Sequence, residues 1–145
     1  MPVIDLQSYG DNASAIAECD VCIIGSGPAG STIARELSGT GLRITLLESG
    51  GFTRSREADA LNEVDNIGRP RVVDQWTVRN RIVGGSSHTW GGRCGPFDAI
   101  DLVERPWVPE SGWPFEIGHL TPYLERTAAY LGLAIGSGFS DERSQ

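Results

Sequence analysis

The stretch that decides the fold is Asp20-Val21-Cys22-Ile23-Ile24-Gly25-Ser26-Gly27-Pro28-Ala29-Gly30, with a second apolar run, Arg43-Ile44-Thr45-Leu46-Leu47, that closes on Glu48. Asp20 to Ile24 is short, apolar and rich in Val and Ile, the pattern of a buried parallel strand. From Pro28 to Leu37 the period changes. Ile33, Ala34 and Leu37 share one face while Arg35 and Glu36 lie elsewhere, as in an amphipathic helix. Gly39 and Gly41 stop that helix. Arg43 to Leu47 then reads as a second strand. Strand, glycine loop, helix and strand within about thirty residues make a βαβ unit, whose two strands are parallel neighbours joined by a right-handed crossover.

The glycine loop supplies the chemistry. Its G-x-G-x-x-G pattern is weak alone, but here it follows a strand, opens a helix and has an acid at the end of the next strand. Glu48 lies 18 residues beyond Gly30, close to the ~20 expected for an acid that binds ribose in a dinucleotide fold. Gly25 permits the tight turn out of the strand. Gly27 lets the backbone approach a pyrophosphate, and Gly30 lets the helix pack on the strand. Ser26 and Ala29 complete the loop. The helix start offers unpaired N–H groups and a partial positive charge to a diphosphate. Pro28 costs nothing there, because the first helical turn has no use for its missing N–H. The Glu48 carboxylate can accept from ribose hydroxyls, and its charge disfavours a 2′-phosphate. The fold class is thus α/β, a Rossmann-like FAD/NAD(P)-binding βαβ unit with irregular glycine-rich loops. Leu47-Glu48-Ser49-Gly50-Gly51 and the long irregular stretch after it favour a flavin nucleotide over NAD, since simple NAD enzymes start their next crossover sooner.

Bulk properties agree. The chain has 145 residues, 39% hydrophobic and 21% charged, enough for one packed domain. Its net charge of −7 argues against nucleic-acid partners and against anionic membranes. No segment approaches the ~20 apolar residues of a membrane span. No secretory signal is visible, which makes a cytoplasmic location the default. The odd count of three cysteines, Cys19, Cys22 and Cys94, suits a reducing compartment. Cys19 and Cys22 have C-x-x-C spacing, but on a strand residues three apart face opposite sides. They are expected to be buried and structural, and no metal site is expected.

Beyond Glu48 the patterns weaken. Asn12 can cap a short helix over Ala13 to Glu18. Phe52 to Pro70 reads as an irregular excursion with at most one helical turn. Val72-Val73 and Trp76 to Val83 are strand-like. A second glycine-rich stretch follows, Gly84-Gly85-Ser86-Ser87-His88-Thr89-Trp90-Gly91-Gly92. Phe97 to Phe115, rich in Trp, Pro and Asp, suggests an ordered loop. Trp76, Trp107 and Trp113 are expected to pack. Thr121-Pro122 looks like a cap and first turn, followed by the stripe Tyr123, Leu124, Thr127, Ala128 and Leu131 and a stop at Gly132.

Gly25 to Gly30, Leu46-Leu47-Glu48-Ser49-Gly50 and Arg81-Ile82-Val83-Gly84-Gly85-Ser86-Ser87 together resemble the glucose–methanol–choline (GMC) oxidoreductases, FAD enzymes that oxidise alcohols and sugars. Trp90-Gly91-Gly92-Arg93-Cys94, Trp107-Val108-Pro109, Ser111-Gly112-Trp113-Pro114 and Leu120-Thr121-Pro122-Tyr123 are similar to bacterial sugar-oxidising members. The resemblance runs from about Asp20 to Leu133. It implies that Gly84, Gly85, Ser86 and Ser87 run beside the flavin and its diphosphate, with Arg81, His88, Thr89 and Trp90 at the same site. For Arg81, a solvated cation at a strand edge is the competing reading. In pyranose oxidase-like relatives a histidine immediately before the tryptophan of this loop bonds covalently to the flavin. Here Thr89 holds that position and His88 stands one place earlier, which implies non-covalent FAD. The alcohol-oxidase members place an aliphatic residue and Asn where this chain has Thr89 and Trp90.

The family's substrate sheet and its catalytic histidine pair lie after the region matched here. No catalytic residue is therefore assigned. The other histidine, His119, reads as a surface residue near a helix start. The expectation is an N-terminal extension over 1–18, the first part of an FAD-binding domain over 19–135, and a polar tail or truncation point over 136–145. The domain would then be incomplete, the FAD-binding fragment of an oxidoreductase acting on sugar or alcohol CH–OH groups. Another flavoprotein, a reductase or monooxygenase, or an inactive binding module are the alternatives.

Overall fold

A computed structural model describes residues 3–6, 8, 18–69 and 75–133, with the side chains of Gln75 and Trp76 left aside. The expected helix over Ala13 to Glu18 and the strand piece Val72-Val73 lie outside the described residues, apart from Glu18. The chain divides into two compact units, Met1–Gly91 and Gly92–Gln145.

In the first unit, β1 (Val21–Ile24) is followed by α1 (Pro28–Glu36) and β2 (Ile44–Leu47). The two strands are parallel, in the register Val21 opposite Ile44 through Ile24 opposite Leu47. Their open end is pinned by charge: Arg43 donates from Nη2 to Oδ1 of Asp20 at 2.9 Å and from its backbone N–H to Oδ2 at 2.8 Å. The Arg43 side chain and then its amide hold the Asp20 carboxyl below its ordinary value. At the other end the Gly25 amide donates to the Leu47 carbonyl at 2.7 Å, carrying the pairing one residue past β1 into the loop.

The core of this unit is thin. Ile23 and Ile82 are its buried apolar residues among those described. The expectation of a wholly buried first strand is corrected here. Ile23 faces α1, but Cys22 is exposed and Ile24 is 86% exposed, because the outer face of the two strands has no covering layer among the described residues. The same geometry corrects the expectation for the cysteines. Cys19 is half-buried, Cys22 and Cys94 are exposed, and all three are free thiols.

After β2 the chain makes α2 (Arg56–Ala60), one turn capped by Ser55, whose Oγ accepts from the Ala58 amide at 3.1 Å. That is the single helical turn expected of this excursion. Trp76 to Val83 is not a strand. It opens in α3 (Gln75–Val78) and continues as irregular chain. Here the branched residues mislead, because among the described residues this segment makes a single sheet-like contact, from the Val83 amide to the Gly51 carbonyl at 3.0 Å. A 3₁₀ turn over Gly85–His88 follows.

The second unit holds α4 (Ala99–Leu102), a 3₁₀ turn (Ile117–His119) and α5 (Thr121–Tyr130), with Leu102 buried in α4 and Ala128 in α5. The short α4 interrupts the expected loop. Its start is tied by Oδ2 of Asp101, which accepts from the Asp98 amide at 2.9 Å. Leu120, not Thr121, is the residue that caps α5, and Pro122 sits within its first turn. Of the expected stripe, Ala128 is buried and Leu124 half-buried, while Tyr123 is 59% exposed. Gly132 ends the helix with φ of 69°. Trp113 leans on Phe115 with ring centroids 5.6 Å apart, but at 57% exposure for Trp113 and 74% for Trp107 neither is buried as a packing residue within this unit. His119 is exposed, as expected. Among the described residues no helix is long and apolar enough to cross a membrane, and no cluster of His, Cys, Asp or Glu could hold a metal.

Candidate nucleotide site at the glycine loops

The site grows from the turn between β1 and α1. Gly25 leaves the strand with φ of 93°, a left-handed conformation that favours glycine. Ser26 is next and is 4% exposed. Gly27 caps α1, and Ser31 is the first residue to donate within the helix, to the Gly27 carbonyl at 2.9 Å. The amides of Ala29 and Gly30 precede that bond, so they belong to the unsatisfied first turn whose partial positive charge attracts anions. No acidic side chain stands in this turn to compete. Ala29 itself is exposed, as is Pro28.

The glycines divide by what limits them. A Cβ built on Gly30 runs into the carbonyl oxygen of Gly25 and comes within 3.2 Å of the Ile23 side chain. Gly30 is therefore a helix-to-strand packing residue. A Cβ on Gly27 meets nothing within 4 Å. No protein contact demands glycine at that position, and the bare backbone beside it is open.

Glu48 closes β2 and turns back onto the loop. Its Oε2 accepts from the Ser26 amide at 2.9 Å and from the Ser26 hydroxyl at 2.6 Å. Its Oε1 accepts from the amides of Ser49 and Gly50 at 2.8 and 3.0 Å and from the Ser49 hydroxyl at 3.3 Å. Burial alone pushes this carboxyl up. The bonds from the Ser26 hydroxyl and from the Ser26, Gly50 and Ser49 amides outweigh it and hold Glu48 below its ordinary value. The group is anionic at neutral pH.

The second glycine loop meets the first through the same serine. The Gly84 amide donates to Ser26 Oγ at 2.9 Å, across 58 residues of sequence. Gly84 has φ of 95°, and Gly85, buried, has φ of 54°. A Cβ on Gly85 comes within 3.1 Å of the Gly27 Cα, so the two loops touch backbone to backbone. Ser87 donates through its hydroxyl to the Gly84 carbonyl, while the Ser86 carbonyl accepts from the Thr89 and Trp90 amides at 3.0 and 3.1 Å. His88 places Nε2 at 2.8 Å from the Val83 carbonyl, and Asn80 donates to Thr89 Oγ1 at 2.8 Å. Trp90 is 47% exposed.

Arg81 is neither at a strand edge nor a solvated cation. Its Nε donates to Asn62 Oδ1 at 2.9 Å, Nη1 to Ser49 Oγ at 2.8 Å, and Nη2 to the Leu61 carbonyl at 3.2 Å. Its backbone lies against Gly50, where a Cβ would collide with the Arg81 carbonyl. The structure thus brings Gly25 to Gly30, Glu48, Ser49, Arg81, Gly84 and Gly85 into one contact network. Ser86, Ser87, His88, Thr89 and Trp90 continue from it along the second loop. Asn62, Ser31 and Gly50 were missed by the sequence patterns. Only Gly50 left a signal, as part of Glu48-Ser49-Gly50-Gly51.

A glycine loop at a helix start, an acid at the end of the next strand and a second glycine loop against the first are the features of a dinucleotide-binding unit. The model of an FAD binding domain family matches residues 18–63, which span β1 through α2. Among characterised relatives, 6'''-hydroxyparomomycin C oxidase of Streptomyces lividus is 30% identical over 133 residues, covering 81% of this chain and 23% of that protein. Paromamine 6'-oxidase of Streptomyces fradiae is 28% identical over 132 residues, covering 81% and 24%. An uncharacterised GMC-type oxidoreductase of Mycobacterium tuberculosis is 29% identical over 133 residues, covering 80% and 20%. No solved structure matches. These matches support kinship with the GMC-type oxidoreductases and FAD as the cofactor. It spans between a fifth and a quarter of the length of these relatives.

Proposed function

We propose that this chain forms the nucleotide-binding part of a Rossmann-like FAD site in an enzyme that oxidises CH–OH groups of a sugar or alcohol. The observation that carries this reading is the convergence on Ser26. One buried serine ties the first glycine loop, the ribose-type acid Glu48 and the second glycine loop together. The residues suit the group. The backbone beside Gly27 is open, the α1 start is free of acidic side chains, and Glu48 is held as an anion. Gly25, Gly27, Ala29 and Gly30 would face the diphosphate, with Glu48 toward the ribose. Gly84 to Trp90 would run along the flavin side. Bound FAD would supply the hydride acceptor for the alcohol carbon. What this chain contributes is binding and orientation, and no catalytic base is assigned within it.

The sugar assignment rests on kinship with two oxidases whose names give aminoglycoside-type compounds as their substrates or products. Titration of the purified chain with FAD, read by quenching of flavin fluorescence, tests the binding reading. Saturable binding supports it, and no binding at millimolar FAD removes it.

A further inference from the structure

Glu48 does not stand alone at the end of β2. Its outer oxygen, Oε1, meets the Ser49 hydroxyl at 3.3 Å, and that hydroxyl in turn accepts from Arg81 Nη1 at 2.8 Å. A guanidinium only donates. Arg81 therefore occupies a lone pair of Ser49 Oγ and directs the serine proton toward Glu48. Two further N–H groups of Arg81 donate to Asn62 Oδ1 and the Leu61 carbonyl, just past the end of α2. The fork spans three segments that are distant in sequence.

The backbone repeats the connection. Gly50 lies so close to the Arg81 carbonyl that no side chain fits between them, and the Val83 amide bonds to Gly51 at 3.0 Å. The turn carrying Glu48 is thus held from one side by the Arg81 segment and from the other by Ser26. Three of the five guanidinium N–H groups of Arg81 are bonded to protein acceptors, one each from Nε, Nη1 and Nη2.

Building on the FAD reading above, we infer that Arg81, with Asn62, is a positioning residue for the ribose end of the nucleotide site. It acts through Ser49 on the orientation of Glu48 and not by charge on the diphosphate. A point charge cannot replace it, because lysine lacks the planar fork that serves three acceptors at once.

The experiment compares ADP and inorganic pyrophosphate binding by calorimetry, using the full 145-residue chain and its Arg81→Lys, Asn62→Ala, Ser49→Ala and Arg81→Lys/Ser49→Ala variants. ADP carries the ribose, and pyrophosphate does not. The expected result is about a tenfold loss of ADP affinity in Arg81→Lys and a smaller loss in Asn62→Ala, with pyrophosphate affinity unchanged. The Arg81 and Ser49 effects should be strongly non-additive, as expected for residues acting through one contact. Ser49 is exposed, so Ser49→Ala keeps the test available if an Arg81 variant fails to fold. Full ADP affinity in Arg81→Lys, additive losses, or parallel losses for ADP and pyrophosphate overturn the positioning role while leaving the FAD reading intact. A wild-type chain that binds neither ADP nor FAD overturns both.

Discussion

Ser26 Oγ lies 2.6 Å from Oε2 of Glu48 and 2.9 Å from the amide nitrogen of Gly84. These two distances fix the direction of a proton. The Gly84 N–H can only donate, so the serine oxygen accepts from it, and the serine proton goes to Glu48. A hydroxyl at 4% exposure is thereby both donor and acceptor, joining segments 22 and 58 residues away in sequence.

Replacing Ser26 with alanine should therefore reach both loops. The variant leaves the Gly84 amide without its acceptor and removes one charge-assisted donor from Glu48. Losing a partner of a half-buried polar group costs about 1–3 kcal/mol. We expect a lower melting temperature and weaker FAD binding together. Thermal unfolding monitored by circular dichroism checks the first, and flavin titration the second. An unchanged melting temperature would show that the junction bears no stability.

Gly27 and Gly30 are two members of one motif with opposite expected phenotypes. Alanine at Gly30 drives a Cβ into the Gly25 carbonyl, a backbone atom that cannot step aside. Overpacking of this kind costs typically 1–3 kcal/mol and occasionally more. Gly27 has φ of −61° and open space around it, so alanine fits. Replacing glycine at a compatible position stabilises by about 0.4–1 kcal/mol through the unfolded chain. Gly27→Ala should therefore fold as well as the wild type and yet lose FAD, because the methyl occupies the approach to the diphosphate. Melting temperature and FAD affinity measured on both variants separate the two roles.

The first half of this site was legible because its determinants are local. Strand, loop, helix and acid follow one another in sequence, and each spacing has a local physical meaning. β1, α1 and β2 fall within a residue or so of their expected bounds. The second half was not legible in the same way. Nothing in the chain near Gly84 states that its amide meets Ser26, since a contact between distant segments leaves no periodicity. Trp76 to Val83 misled because branched and aromatic residues suit a strand only where a neighbouring strand exists. For Arg81 a cofactor contact and a solvated cation both stayed open, because its three acceptors, on Asn62, Leu61 and Ser49, are brought to it by folding. The family resemblance located the second loop as part of the site but not the bonds that hold it.

Acid should weaken the site once pH falls below the ordinary carboxyl value. The Glu48 carboxyl is held below its ordinary value of 4.5, net of the burial that pushes it up. A group whose folded value is depressed contributes stability that is complete above its unfolded value. That contribution is lost as pH falls through the folded value. We expect melting temperature and FAD affinity to be level above about pH 5 and to fall below pH 4.5. Glu48→Gln should be less stable at neutral pH and should show a flatter acid limb. Melting curves from pH 3 to pH 7, spanning the ordinary carboxyl range, check the sign. Equal acid slopes in the two proteins would assign the loss to other carboxylates.

His88 gives the last expected outcome, which concerns how the flavin is held. Its Nε2 sits 2.8 Å from the Val83 carbonyl, within its own loop, and Thr89 is the residue next to Trp90. An imidazole N–H committed to a carbonyl is poorly placed to act as a nucleophile through that nitrogen. The loop geometry is also local: Gly84 supplies the left-handed turn that folds the histidine back, and its Cβ position lies 3.0 Å from Nε2. We therefore expect non-covalent FAD. Precipitation of the FAD-loaded chain with trichloroacetic acid should release all flavin to the supernatant and leave a colourless pellet. His88→Ala should retain FAD with at most a severalfold loss of affinity, reflecting one loop hydrogen bond worth about 1 kcal/mol. A yellow washed pellet that turns colourless in His88→Ala would establish a covalent bond to His88 and overturn the expectation.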